Sequence, residues 1–514
     1  MYQKTMKTYS YVGKKLEQLC SSCFFRFIWF HLRGNKFSLE LIYFLFISSL
    51  GFSILRSLDA KSPTFTPGNL DLFFTSVSAA AVTSMSTVEM EVFSNTQLVI
   101  LTILMLIGGE VFTSWLSLKL RTLFFKVSHK DDDTVDLSLS NHHEDPSNNI
   151  AILELESSIS ESINHMEVLK YKSLKFLSLV VLFYLLFVHV LGLVSVFIYI
   201  NAISSARNIL EQKGLHAVTF SFFTIVSSFS NCGFIPTNEN MLIFRKNSGL
   251  LLIIVPQILL GNTLFPPVLR SIIWAVGKIT NKEETRYLLR NSKVVGYHHL
   301  LSYKHSFLLL ITVSVFLMVQ YILFSSMEWT SGSLGDLNVY QKLVGILFQV
   351  VNTRHTGESV VDLSTISGAV LVLFIFMMYL PPYTSFLPVG EEICEQGSKR
   401  NSKVIENFTF SQLTYLVIFI IIVCITERKK MVNDPLNFNV LNIVVEVISA
   451  YGNVGLSTGY NCDRRLKPNG SCENKWYGFS GKFSDEGKVV IIIVMIFGRL
   501  KKFSINGGKA WKLM

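Results

Sequence analysis

Four short polar turns, each holding one small residue, recur along the chain and are suited to replacing the water around a cation. They are residues 82–87 (VTSMST), 230–234 (SNCGF), 353–358 (TRHTGE) and 452–456 (GNVGL). Each turn follows an apolar stretch too short to cross a bilayer and precedes a longer apolar one. Backbone carbonyls in such turns can replace hydration water without adding full charges. The pattern predicts a pore helix and a filter segment, repeated four times around one ion path.

The small residue is not the same in all four turns. Gly233, Gly357 and Gly455 accept the conformations that point successive carbonyls at one axis, whereas the first turn carries Ser84. The added Cβ and hydroxyl should narrow the ring and disfavour a large, weakly hydrated cation. Ser84 could equally be an ordinary member of a Ser/Thr-rich turn, but the four-fold comparison favours the functional interpretation. The residues predicted to lie beside the filter are Thr83, Asn231, Thr356 and Val454.

Carboxylates cluster close to these turns. On the outer side of a membrane they would form a negative mouth that concentrates cations. Each acid taken alone could equally be a solvated or helix-capping residue, so the argument rests on the group. The predicted mouth acids are Glu89, Glu91, Glu239, Glu358 and Asp362.

Two further ionisable residues lie in or at the end of apolar spans, where a charge is costly. Glu110 follows two glycines inside the second span, and we expect it to be functional or paired. Arg499 ends the last span. It is either a membrane-interface anchor or a barrier that projects into the cytosolic half of the pore.

The composition is that of a polytopic membrane protein. Half of the 514 residues are hydrophobic and 16% are charged. Eight apolar spans are predicted, with residues 97–118 and 249–276 each forming a single span. A basic N-terminal segment without a convincing cleavage site precedes the first span, which places the N-terminus in the cytosol.

These spans and turns predict an all-α protein of four span, pore-loop, span repeats around one pore. The predicted pore loops are 71–91, 215–240, 337–360 and 436–460. The predicted segments are a cytosolic N-terminal segment (1–36), repeat A (37–128), an acidic cytosolic linker (129–173), repeat B (174–280), repeat C (281–390), a second cytosolic linker (391–406), and repeat D with a short cytosolic tail (407–514).

One outer loop carries two covalent-modification candidates. Cys462 and Cys472 share this polar loop and are candidates for a disulfide. Asn469 begins a glycosylation sequon in the same loop, whereas the sequon at Asn407 falls on the cytosolic side.

Several longer segments resemble the plant high-affinity potassium transporter (HKT) family of the Trk/Ktr/HKT superfamily. They are residues 71–78 (DLFFTSVS), 84–94 (SMSTVEMEVFS), 231–241 (NCGFIPTNENM), 261–266 (GNTLFP), 352–358 (NTRHTGE) and 447–455 (VISAYGNVG). The similarity runs from about residue 37 to the end and is weak in the N-terminal extension and the acidic linker.

The resemblance implies a plasma-membrane cation transporter, with Na⁺ coordinated at Ser84, Gly233, Gly357 and Gly455. Members with serine at the first position resemble the sodium-preferring subfamily, and Asn231 fits that pattern because some potassium-tolerant relatives carry an acid there. Arg499 matches a basic position of the family, which favours its pore-side interpretation. The relatives also imply a homodimer.

The alternative function is a K⁺ or Na⁺/K⁺ transporter of the same architecture. A polytopic membrane enzyme is more remote, because the sequence shows no spaced His/Asp groups of the kind such catalysis needs. No phosphate-binding Gly-rich loop with its lysine is present, so ATP-driven transport is not expected. The expected partners are monovalent cations and the lipid bilayer, with no nucleic acid and no cofactor.

Overall fold

The structure, a computed structural model, describes residues 36–61, 67–135, 150–381, 383–384, 412–465, 472 and 474–504. Apart from short 3₁₀ turns and one isolated bridge, the regular elements of this part are α-helices. The all-α prediction is therefore confirmed.

The helices follow one order four times: a long helix, a short buried helix, a turn, and a second outer helix. The first two sets are α1 (Lys36–Ser57), α2 (Asn69–Ala80), α3 (Asn95–Gly108) and α4 (Glu110–Val135), then α5 (Ile150–Ala202), α6 (Ser204–Lys213), α7 (Ala217–Ser230), α8 (Ser248–Leu260) and α9 (Phe265–Thr280). The connecting helices α10 (Glu283–Arg290) and α11 (Ser292–Val295) come next. The last two sets are α12 (Tyr303–Glu328), α13 (Val339–His355) and α14 (Gly368–Tyr379), then α15 (Gln412–Thr426), α16 (Arg428–Asn433), α17 (Val440–Gly452) and α18 (Asp485–Ser504).

The short helices α2, α7, α13 and α17 form the centre of the molecule. Residues 223–230 of α7 and 348–355 of α13 are all buried, although many of these side chains are serine, threonine or asparagine. Several of their hydroxyls donate within the helix, as where Ser228 and Thr353 bond the carbonyl four residues earlier at 2.8 and 2.7 Å. A polar helix can thus be buried among apolar helices.

Within the part of the chain that the structure describes, three helices are long and apolar enough to cross a membrane by length and composition, and two bent pairs qualify if each counts as one span. The predicted spans 97–118 and 249–276 each coincide with a pair of helices that is bent rather than straight. Helices α3 and α4 meet at 58°, and α8 and α9 meet at 78°. The chain leaves α3 at Gly109 with ψ 146°, and prolines begin α9, so both breaks fall where helix-terminating residues stand.

Candidate selectivity filter and ion pathway

The four predicted filter residues share one unusual backbone conformation. Their φ angles are +51° at Ser84, +93° at Gly233, +74° at Gly357 and +92° at Gly455. Glycine enters this left-handed region freely, whereas an L-residue such as serine pays about 1–2 kcal/mol. The serine therefore keeps the backbone form of the glycines despite its side chain.

The filter residues contact one another in a ring. On the side where other residues carry a Cβ, each glycine packs against a backbone carbonyl of the next repeat. A Cβ on Gly233 would lie 1.7 Å from the Thr356 oxygen, one on Gly357 2.0 Å from that of Val454, and one on Gly455 2.2 Å from that of Thr83. In repeats C, D and A, the carbonyl that precedes the filter position thus meets the glycine of the preceding repeat. The repeats follow one another around the ring in chain order, and these backbone contacts leave no room for a Cβ on the glycines.

Ser84 changes the ring where repeat A meets repeat D. Its hydroxyl donates to the Val454 carbonyl at 3.3 Å. The same Oγ would be 1.7 Å from a Cβ on Gly455 and 3.0 Å from one on Gly233. The serine side chain therefore lies among the filter backbones rather than on an outer surface, and it hydrogen-bonds a carbonyl oxygen of repeat D.

The residues beside the filter brace neighbouring repeats. Asn231 accepts a hydrogen bond from the Thr356 hydroxyl at 3.3 Å and donates to the Ile258 carbonyl at 3.4 Å. Asn453 holds the equivalent place in repeat D and donates to the Thr83 hydroxyl at 2.9 Å. Sequence reasoning missed Asn453, although it stands two residues before its glycine, as Asn231 does. Both asparagines have positive φ and end their pore helices.

Two serines hold the filter glycines by their amides. The Gly233 N–H donates to Ser227 Oγ, and the Gly455 N–H donates to Ser449 Oγ, each at 3.0 Å. These serines were also missed, yet each precedes its glycine by six residues. The bonds fix the direction in which the turn leaves the helix.

A lysine that the sequence analysis did not include lies among the predicted mouth acids. Lys213 Nζ lies 2.8 Å from Glu91 and 2.7 Å from Glu239. Partial burial by itself lowers the pKa of Lys213, but the hydrogen bonds to Glu239 and Glu91 outweigh it and raise the pKa above its ordinary value. Two of the predicted mouth acids are therefore neutralised in part and join pore loops A and B.

The other predicted mouth acids differ in their surroundings. Glu89 accepts the Trp476 N–H at 3.3 Å, and exposed Asp362 caps a short turn through the Ser364 N–H at 2.9 Å. The expectation for Glu358 is wrong, because this side chain is fully buried. It contacts the pore helix of repeat B, where Ser228 Oγ lies 2.5 Å from Glu358 Oε1.

A cavity of about 50 Å³ opens above the ring between repeats A and B. Its lining includes Ser84 and Gly233 of the filter, together with Asn238 and Trp476. This space is sufficient for a cation that keeps part of its water shell.

Arg499 and Glu110 both lie at the α3–α4 break. The Arg499 guanidinium is buried, donates to the Gly108 carbonyl at the end of α3, and lies 5.5 Å from the Phe44 ring centre. A cation there complements the carbonyl end of the helix. Glu110 begins α4 and accepts a hydrogen bond from Tyr383 at 3.2 Å. The gate role of Arg499 stays a prediction.

The outer loop of repeat D is tied covalently and by hydrogen bonds. Cys462 and Cys472 form a disulfide with an S–S distance of 2.04 Å. Further along, the Gly478 N–H donates to the Ser86 carbonyl at 3.0 Å, which joins this loop to the first filter turn. Asn469 lies outside the described residues.

Comparison with known proteins agrees with this architecture. The TrkH family of cation transport proteins matches residues 47–387 and 400–506. The chain is 48% identical to "Cation transporter HKT1;3" of Oryza sativa subsp. japonica, over 95% of this chain and 93% of that one. It is 49% identical to "Sodium transporter HKT1" of Arabidopsis thaliana, over 88% and 90%.

A solved structure, the potassium transporter TrkH from Vibrio parahaemolyticus, covers 91% of this chain and 83% of its own at 13% identity and a TM-score of 0.47. The family match and the two relatives span most of the chain, and these proteins are ion transporters rather than enzymes. The chain belongs to the TrkH family of cation transport proteins and, within it, to the plant HKT transporters.

Proposed function

We propose that this cation transporter prefers Na⁺ and carries it passively down its electrochemical gradient. The single observation that carries the proposal is the Ser84 hydroxyl within the filter ring, bonded to the Val454 carbonyl. K⁺ is the larger and more weakly hydrated of the two ions, so it needs a wider ring with more free carbonyls. A side chain that narrows the ring and occupies a carbonyl penalises K⁺ more than Na⁺.

Two further features support Na⁺ over the alternative of a K⁺ or Na⁺/K⁺ transporter. Asn231 places a neutral amide, not a carboxylate, two residues before the filter glycine. A relative that is 49% identical bears the name of a sodium transporter. Other relatives are named only as cation transporters, so ion choice has to be measured on this chain.

The test is the reversal potential in voltage-clamped cells that express the full chain. When external Na⁺ is replaced by K⁺, the reversal potential should shift as the Na⁺ gradient predicts. When K⁺ alone is varied, the reversal potential should change little. Non-expressing cells from the same batch provide the baseline current. Equal permeability to the two ions would contradict the proposal and favour the Na⁺/K⁺ alternative.

We also propose that the protein lies in the plasma membrane with its N-terminus and tail in the cytosol. The Cys462–Cys472 disulfide supports this orientation, because disulfides persist on the oxidising, extracellular side. Its loop contacts the first filter turn, so the filter side is then the outer side. An antibody against an N-terminal epitope should stain permeabilised cells only. Staining of intact cells would show that the N-terminus is extracellular and would contradict the proposed orientation. The homodimer stays a prediction.

A further inference from the structure

Four-fold comparison of the filter singles out Glu358. The residue that follows each filter position is buried in all four repeats: Met85, Phe234, Glu358 and Leu456. Three repeats thus bury an apolar side chain where repeat C buries a carboxyl group. An ionised carboxylate at such a site is strongly unfavourable unless it is well paired. Glu358 therefore needs a structural explanation that its equivalents do not.

The contacts of the carboxyl group favour a proton on Glu358. Glu358 Oε1 is 2.5 Å from Ser228 Oγ, and Ser228 Oγ is 2.8 Å from the Thr224 carbonyl. The carbonyl can only accept, and a serine hydroxyl has one proton to give. If Ser228 donates to Thr224, as its place four residues later in the helix favours, the proton of the second bond comes from Glu358. The other oxygen, Oε2, has no hydrogen-bond partner among the described residues.

The partner is on the helix that supports the neighbouring filter segment. Ser228 follows Ser227, whose hydroxyl holds the Gly233 amide. On the other side, Glu358 follows Gly357 directly, and its own N–H is fixed by the Asn352 side chain at 3.1 Å. The bond between Glu358 and Ser228 therefore links the filter turn of repeat C to the pore helix of repeat B.

We propose that Glu358 is a neutral carboxylic acid whose hydrogen bond to Ser228 positions Gly357 beside Gly233 and thereby sets ion selectivity. It is a positioning residue, since it acts through the backbone of Gly357, which it follows, and does not bind the ion. The inference rests on the proposed filter role of these two glycines. It assigns to repeat C a specificity determinant distinct from Ser84.

Three variants test the bond by reversal potential, with surface labelling to count the transporters. Glu358→Gln keeps a donor toward Ser228, so it should retain the wild-type reversal potential and current. Glu358→Ala and Ser228→Ala remove the bond, and each should change the Na⁺/K⁺ permeability ratio about fivefold, the factor that one hydrogen bond supports. Ser221→Ala is the matched control. It removes a 2.8 Å bond to the Ala217 carbonyl in the same helix and should leave the ratio unchanged.

Two results would overturn the proposal. If Glu358→Gln were as altered as Glu358→Ala, the residue would act by its negative charge. If Ser228→Ala and Glu358→Ala both kept the wild-type ratio, the bond would not set selectivity. Should Glu358→Ala fail to reach the surface, Glu358→Gln and Ser228→Ala still decide the question. The proposed filter role is tested separately with Ser84 variants. The proposal for Glu358 can therefore fail while the proposed filter role stands, and the reverse is also true.

Discussion

Replacing Ser84 with glycine is expected to raise the permeability to K⁺ relative to Na⁺ by about tenfold, which corresponds to about 1.4 kcal/mol of selectivity. The variant removes the side chain that lies among the filter backbones and frees the Val454 carbonyl. It also relieves a serine held at φ +51°, so the filter should fold at least as well. Reversal potentials measured with Na⁺ and K⁺ exchanged give the ratio directly.

Ser86→Gly is a useful control for this variant. It changes a serine of the same turn that is half-buried and contacts the Gly478 amide rather than the ring. The wild-type ratio should persist there. If Ser84→Gly also left the ratio unchanged, ion choice would not depend on the Ser84 side chain.

Replacing Gly455 with alanine should abolish current. The residue has φ +92°, and a Cβ would lie 1.7 Å from Ser84 Oγ and 2.2 Å from the Thr83 carbonyl oxygen. The backbone of two repeats would have to separate, which disrupts the ring. Whole-cell current per transporter at the surface measures the effect, and a loss of at least about a hundredfold is expected, which corresponds to about 2.7 kcal/mol.

Gly459 separates the clash from backbone strain. It also has positive φ, +63°, but an added Cβ would have no atom within 4 Å. Gly459→Ala should cost only about 1–2 kcal/mol of stability and keep its current. A second comparison is the double variant Ser84→Gly/Gly455→Ala. It should remain inactive because the Thr83 carbonyl still blocks the new methyl group, and restored current would show that only the serine was in the way.

The filter could be predicted from the sequence because its signals are local. A glycine or asparagine after a short apolar helix has a conformational reason to be there, and alignment of the four turns exposes Ser84. The helix breaks were less evident. An apolar run of helical length predicts one straight span, and Gly108–Gly109 does not by itself say that the chain bends.

Contacts between distant parts of the chain could not be predicted. Lys213 ends the short helix α6 of repeat B, and only the fold brings it to Glu91 of repeat A. The prediction for Glu358 failed for a related reason, because a carboxylate next to a polar turn is expected to be exposed to solvent. Its burial depends on a serine of another repeat. Side-chain type indicated which groups could interact, whereas the packing of the repeats determined which ones do.

The closed ring of glycine and carbonyl contacts has a consequence for how such a pore can change over evolution. In an assembly of identical subunits, every substitution appears at all four corners at once. Here one gene encodes four different filter positions. A serine at one position, or an acid next to another, therefore changes one quarter of the ring and leaves the other three positions unchanged. Ion preference can then shift in small increments. Each filter position nevertheless contacts its two neighbours in the ring. The effects of successive substitutions on ion preference will therefore not be additive.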